Sequence, residues 1–164
     1  MDQLELQYCL TLNKLSTIGS VRHFFAIVSR LGNGLFWYSL MLVLPLIYGQ
    51  QAWDTSITMA ITGVIGVVIY KILKTTLLRE RPYIQHAVIN QGTAALDYYS
   101  FPSGHTLHAV SFSLIAINSF PELALVLAPF TLLIALSRVV LGLHYPTDVL
   151  VGAGIGTCLA MISI

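Results

Sequence analysis

The segment Ser137–Asp148 (SRVVLGLHYPTD) sets an Arg, a His and an Asp into otherwise apolar sequence. Arg138 lies inside TLLIALSRVVLGL, a run with the composition of a membrane helix. A charge at such depth is expensive, so it faces a water-filled cavity or a partner and marks function. His144 and Asp148 bracket Pro146. Proline suits the first turn of a helix and keeps the residue before it extended, so a helix is expected to open at Pro146 with Tyr145 outside it. Asp148 then falls in the first turn, where the helix dipole favours a carboxylate. From there it can accept a proton from one ring nitrogen of His144 and leave the other free to attack. The pattern reads as an oriented nucleophile beside a cation.

Two further clusters carry compatible chemistry. Four of the eight Lys and Arg residues lie between Lys71 and Arg81, in KILKTTLLRERP. Lys74 and Arg81 are two helical turns apart and can share a face; the competing reading is a set of snorkelling anchors at the end of a membrane helix. In FPSGHT, Pro102 and Ser103 precede an apolar run, as at a helix N-terminus, and Gly104 removes a side chain from the first turn. Exposed amides there suit an anion, and His105 beside them can serve as a general acid. Lys74, Arg81 and Arg138, the amide nest and two histidines together suit a phosphoryl group. A braced histidine can attack phosphorus to form a phosphohistidine, and the second can protonate the departing oxygen and then activate water. A metal site lacks ligands, with two His and one Asp beside cations that repel a divalent ion, so neither metal nor cofactor is expected. Ser103 and Ser137 suit phosphate contacts better than a nucleophile's role. His23, His86 and His108 read as structural, although His108 lies one turn beyond His105 and could line the same cavity.

The elements that must position these residues are apolar. The chain has 164 residues, of which 56% are hydrophobic and 9% charged, and a mean hydropathy of +0.80. Soluble domains carry about 25% charged residues, so a soluble enzyme is excluded. A net charge of +1 leaves no basic surface for nucleic acid. Cys9 and Cys158 have no metal-like spacing and read as ordinary thiols. Asp2, Glu5 and Lys14 break up the first twenty residues, so no cleavable signal peptide is expected.

In order, an amphipathic surface helix is expected over Asp2–Ser16, and a marginal crossing over Val21–Leu31 with Arg22, His23 and Arg30 at its ends. A turn follows at Gly32-Asn33-Gly34, then spans over Leu35–Tyr48 and Thr55–Leu78, the latter with Gly63 and Gly66 as close-packing points. Arg79–Phe101 is a long polar and aromatic loop of the functional kind. Spans over Ser103–Phe120, Glu122–Leu143 and Pro146–Ile164 complete the chain. Gly152, Gly154 and Gly156 lie mid-span with no strand before them, so they read as helix-packing positions rather than a phosphate loop. The expected fold is an all-α polytopic membrane bundle of six transmembrane helices with a short amphipathic N-terminal helix. It forms a single domain, 1–164, in which 1–17 is the amphipathic segment and 79–103 the active-site loop. Six crossings put both termini on one side and all three polar clusters on the other.

Lys74-x6-Arg81-Pro82, Pro102-Ser103-Gly104-His105 and Ser137-Arg138-x5-His144-x3-Asp148 resemble the three signature motifs of the type 2 phosphatidic acid phosphatases. These are metal-independent membrane lipid phosphatases related in fold to vanadium haloperoxidases. The resemblance runs from about Gly32 to the end of the chain, with every motif position filled. It implies that His144 is the nucleophile, Asp148 its orienting partner and His105 the acid. Lys74, Arg81 and Arg138 would hold the phosphate with help from Ser103 and the Gly104 amide. It further implies a lipid phosphate or diphosphate substrate, inhibition by vanadate or phosphate, and a site on the outer face of a bacterial plasma membrane. Undecaprenyl diphosphate is the first substrate expected, since a small pocket between helices suits a long isoprenoid tail and a compact head. Lipid A phosphate, phosphatidylglycerol phosphate and phosphatidic acid are the alternatives, and non-hydrolytic head-group transport is the rival of another class.

Overall fold

The computed structural model describes residues 3–164; Asp2, the expected first residue of the amphipathic helix, lies outside them. Eight α-helices are present among the described residues: α1 (Gln3–Asn13), α2 (Gly19–Leu31), α3 (Leu35–Tyr48), α4 (Ala52–Leu77), α5 (Pro82–Gln85), α6 (Gly104–Ser119), α7 (Ala124–Val140) and α8 (Pro146–Ser163). The all-helical expectation holds. Apart from the single turn α5, the seven helices coincide with the segments read from hydropathy. Pro146 opens α8 and Tyr145 is extended before it, as the proline requires. Ser103 stands in extended conformation before α6. α7 stops at Val140, short of the expected Leu143, because the chain turns through Gly142 at φ 72°. A side chain there would meet the Asn90 carbonyl at 2.6 Å.

α6 is the spine, packed on α4, α7 and α8. Glycines make the close approaches possible. A Cβ on Gly152 would fall 2.6 Å from the Ser103 carbonyl oxygen, and one on Gly156 would fall 2.4 Å from that of Leu107. Gly63 and Gly66 do the same for α4, facing Phe112 and Leu107. The VGAGIGT run is thus a packing surface, and Gly154, the middle glycine, faces open space. The core is filled by Trp37, Leu44, Met59, Phe112, Leu127 and Ile134. Leu42, Leu46, Val64, Leu125, Leu150 and Ile162 point outward and are exposed, as lipid-facing side chains must be. Three stretches are long and apolar enough to cross a membrane: 35–77, which holds α3 and α4, 121–140 and 146–163.

α3, α4, α6, α7 and α8 run between two ends of the bundle. Tyr48 stacks on Phe120 and Thr55 bonds Ser119 at one end; Lys74, Gly104, Arg138 and Pro146 gather at the other, which carries the site. α2 behaves differently from the expected marginal crossing. Asn13, six residues before it, donates to the Asn90 and Val140 carbonyls (2.9 and 3.0 Å), which fixes its start at the site end. Its last turn also lies beside the site, where Ser29 bonds Arg138 and Asn33 bonds His105. Both the approach to α2 and its last turn are therefore at the site end, so α2 does not run from one end of the bundle to the other. α1 presents Glu5, Cys9 and Asn13 to the protein, and Tyr8 and Leu4 outward. Leu6, Leu10 and Leu12 pack half-buried beside Cys9, while Gln3, Gln7 and Thr11 are exposed, so α1 lacks the clean apolar face expected of an amphipathic helix.

The contrast among the α8 glycines is testable. Gly156→Leu should lower the thermal stability of the purified protein by about 1–3 kcal/mol through overpacking. Gly154→Ala should leave it unchanged or raise it by up to about 1 kcal/mol. Equal effects of the two substitutions would refute the packing role.

Candidate active site

A cavity of about 690 Å³ opens at the site end between α3, α4 and α6. Lys74, Arg81, Gly104, His105, Arg138 and His144 border it, so six of the eight predicted site residues meet there. The other two lie behind the wall. Asp148 is fully buried beyond His144. Ser103 is also fully buried, and its hydroxyl pairs with Thr106 (3.0 Å) rather than facing the cavity, so the expected hydroxyl contact with phosphate is not formed here. Its backbone N–H donates to the Asp148 carbonyl (3.0 Å), which ties the second motif to the third.

The chain orients His144 from both sides. Arg81 Nη1 lies 3.2 Å from Nε2. A guanidinium has donors only, so Nε2 is the acceptor and the ring proton resides on Nδ1. Nδ1 points at Asp148 Oδ2, 3.6 Å away, and makes no hydrogen bond among the described residues. Such contacts commonly tighten around substrate. Burial, followed by the charges of Arg138, Arg81 and Lys74, holds the His144 pKa well below the ordinary imidazole range. At neutral pH the ring is therefore neutral, and its Nε2 lone pair, which accepts from Arg81, sits at the end facing the cavity cations.

The cations differ in what balances them. Lys74 donates to Asp97 Oδ1 (2.7 Å) and to the Tyr99 carbonyl (2.8 Å). Arg81 donates to Asp97 Oδ1 (2.6 Å), the Asp97 carbonyl (2.9 Å) and the Leu143 carbonyl (2.7 Å). Arg138 has no carboxylate partner among the described residues. It is 2% exposed, one amino group bonds Ser29, and its Nε is unpaired. Three positive charges around one carboxylate leave a cavity that calls for an anion.

Three partners of the predicted site residues escape the sequence reading. Asp97 carries the one legible signal, being the only acid between Pro82 and Phe101, opposite a basic cluster. Burial alone would raise its pKa, but the hydrogen bonds and charges of Lys74 and Arg81 hold it below the ordinary carboxylate range, so the pairing persists into mildly acidic conditions. Asn33 accepts from His105, and Ser29 supports Arg138; nothing in a glycine turn or a serine predicts either. Arg79 lies within the basic cluster yet does not border the cavity. His108 does border it, but its ring nitrogens face the Gly104 and Gly63 carbonyls (2.8 and 3.1 Å).

The PAP2 superfamily profile matches residues 51–164, and the chain belongs to that superfamily. All three motif clusters lie within the match; Glu5, Ser29 and Asn33 lie outside it. Undecaprenyl-diphosphatase BcrC of Bacillus subtilis is 33% identical over 114 residues, which make up 69% of this chain. The chain spans only 58% of that relative's length. Two crystal structures share the fold. Aquifex aeolicus LpxE aligns with a TM-score of 0.79 and 25% identity, over 93% of this chain and 92% of that one. The PAP2-type phosphatidylglycerolphosphate phosphatase of Bacillus subtilis aligns with a TM-score of 0.78 and 22% identity, over 99% and 85%.

Removing the Asp97 charge should deepen the positive potential of the cavity. Asp97→Asn is expected to bind orthovanadate about tenfold more tightly, a change of about 1.4 kcal/mol, as measured by titration calorimetry in detergent. Unchanged or weaker binding would show that Asp97 does not offset the cradle.

Proposed function

We propose that the protein is an integral membrane lipid phosphatase that works through a phosphohistidine intermediate and needs no metal. Buried, carboxylate-free Arg138 carries this reading, because such a cation beside Lys74, Arg81 and a neutral His144 fits a bound phosphoryl group. The cavity continues from this polar end along Met41, Ala60, Val64 and Val67 between α3 and α4. A phosphorylated head with an apolar tail matches that division.

In the proposed reaction, His144 Nε2 attacks the terminal phosphorus and forms the P–N bond while the bond from that phosphorus to the oxygen of the leaving group, a lipid phosphate or a lipid alcohol, breaks. Lys74, Arg81, Arg138 and the Gly104 amide hold the non-bridging oxygens. Asp148 stabilises the His144 ring as it becomes cationic. His105, held by Asn33, gives its proton to the departing oxygen. It then takes a proton from water, whose oxygen attacks phosphorus and releases inorganic phosphate and free His144. Ser103 contributes through its backbone, by positioning the α6 terminus.

The substrate of first choice is undecaprenyl diphosphate, supported by the named activity of the Bacillus subtilis relative and by the long apolar limb of the cavity. Five crossings, α3, α4, α6, α7 and α8, with α1 and α2 in the interface at the site end, replace the six expected from hydropathy. We assign the site to the periplasmic or outer face of the plasma membrane, as the resemblance implies. The far-end connections, YGQQAWD and SFPEL, contain no Lys or Arg, so the charge bias opposes this orientation. Four of the eight cations, however, are engaged at the site, by Asp97, Asp148, Glu5 and Ser29. Their position answers to chemistry rather than to topology.

Purified protein should release phosphate from undecaprenyl diphosphate in the presence of EDTA, with His144→Ala slower by about 10³-fold or more. A panel with lipid A, phosphatidylglycerol phosphate and phosphatidic acid ranks the substrates. Loss of activity in EDTA alone would overturn the metal-free mechanism, and lipid uptake without phosphate release would favour head-group transport. For orientation, a cysteine replacing exposed Val88, in a background lacking Cys9 and Cys158, should react with a membrane-impermeant maleimide in intact cells. Labelling only after permeabilisation would reverse the assignment.

A further inference from the structure

Arg79 stands apart from the three cavity cations. Its guanidinium lies 4.1 Å from the centre of the Tyr145 ring and divides its donors between two carboxylates. Nη1 donates to Asp148 Oδ1 (2.6 Å) and to the Thr147 hydroxyl (2.8 Å), and Nη2 to Glu5 Oε2 (2.7 Å). The second Glu5 oxygen accepts from the Thr147 N–H (3.2 Å) and from the Thr147 hydroxyl. Glu5 is 9% exposed and Asp148 fully buried, so this is not a solvated surface pair.

We propose that Glu5, acting through Arg79, is a positioning residue for the His144–Asp148 pair. The N-terminal helix is then a working part of the site, although it lies outside the part of the chain that the superfamily profile matches. The inference rests on the phosphohistidine reading above.

The argument turns on how one cation is shared. An unshared guanidinium tends to grip a carboxylate through both oxygens. Here Glu5 occupies Nη2, so Arg79 holds Asp148 by Oδ1 alone. Oδ2 receives the Tyr145 N–H (2.8 Å) and stays directed at His144 Nδ1. Glu5 also offsets part of the Arg79 charge, which leaves Asp148 more able to stabilise a cationic His144. Without the Glu5 charge, Arg79 is free to pull both Asp148 oxygens away from the ring. Anchoring of α1 does not explain Glu5, because Asn13 secures that helix with three hydrogen bonds of its own.

The test is a double-mutant cycle in the full chain. Glu5→Gln should lower kcat about tenfold with KM within about twofold, and Glu5→Asp should recover part of the loss. In Glu5→Gln/Asp148→Asn the rate should match that of Asp148→Asn alone, since Glu5 acts through Asp148. Losses that multiply, or a kcat within about twofold of wild type, would overturn the proposal. A readout independent of turnover is the His144 Nδ1–H resonance in protein labelled with ¹⁵N-histidine. It should move in Glu5→Gln and stay in place in Asn13→Ala, which loosens α1 elsewhere; the same resonance in both variants would refute positioning. A wild-type protein that releases no phosphate would sink the enzymatic reading by itself, and the resonance would still decide the role of Glu5.

Discussion

The site depends on buried positive charge that the protein does not fully neutralise. Lys74 and Arg81 share the Asp97 carboxylate, and Arg138 has no acid beside it among the described residues. In a bundle surrounded by lipid, such a cluster is stable only if its donors are aimed and its surroundings are rigid. The rest of the fold meets that condition. Backbone carbonyls of Tyr99, Asp97 and Leu143 absorb the spare donors, and Ser29 holds Arg138 from a neighbouring helix. Positive charge also sets the state of His144. Burial together with Arg138, Arg81 and Lys74 keeps its ring neutral, and Arg81 selects the tautomer whose lone pair faces the cavity.

Rigidity comes from small residues. Where Gly152 and Gly156 meet the backbone of α6, and Gly63 and Gly66 meet its side chains, the helices approach closely enough to lock three elements into one unit. That unit carries the Ser103–His105 turn and, through the Ser103 to Asp148 backbone bond, fixes its relation to the His144 turn. Loop 79–103 closes over the same end. Ser100 bonds the Arg79 carbonyl, Gly92 bonds that of Leu141, and Asp97 is delivered to the cations.

The N-terminal region takes a larger part than its sequence advertises. Glu5, Ser29 and Asn33 reach Arg79, Arg138 and His105 respectively, one contact for each polar cluster. α1 turns Glu5, Cys9 and Asn13 toward the protein with Leu6 and Leu10 packed beside them, and leaves Leu4 and Tyr8 exposed, a placement that suits a helix lying in the interface at the site end. The same placement explains why Val21–Leu31, apolar in its middle, is not an end-to-end span.

Sequence alone determined the class of architecture and the superfamily motifs, because both depend on local rules. Apolar runs of sufficient length specify helices in a membrane, Pro146 fixes where the last helix starts, and charges inside such runs have few explanations. Six of the eight predicted site residues border one cavity and Asp148 stands directly behind His144; the Ser103 hydroxyl pairs with Thr106 instead, because a hydroxyl at a helix start can turn either way. Only the tertiary structure decided the partners. Asp97 meets Lys74 across 23 residues, Asn33 meets His105 across 72 and Glu5 meets Arg79 across 74. Contacts at such separations follow from how helices pack, which hydropathy and spacing do not encode. The side on which α2 begins was likewise set by Asn13, whose amide found the Asn90 and Val140 carbonyls only once the bundle had formed.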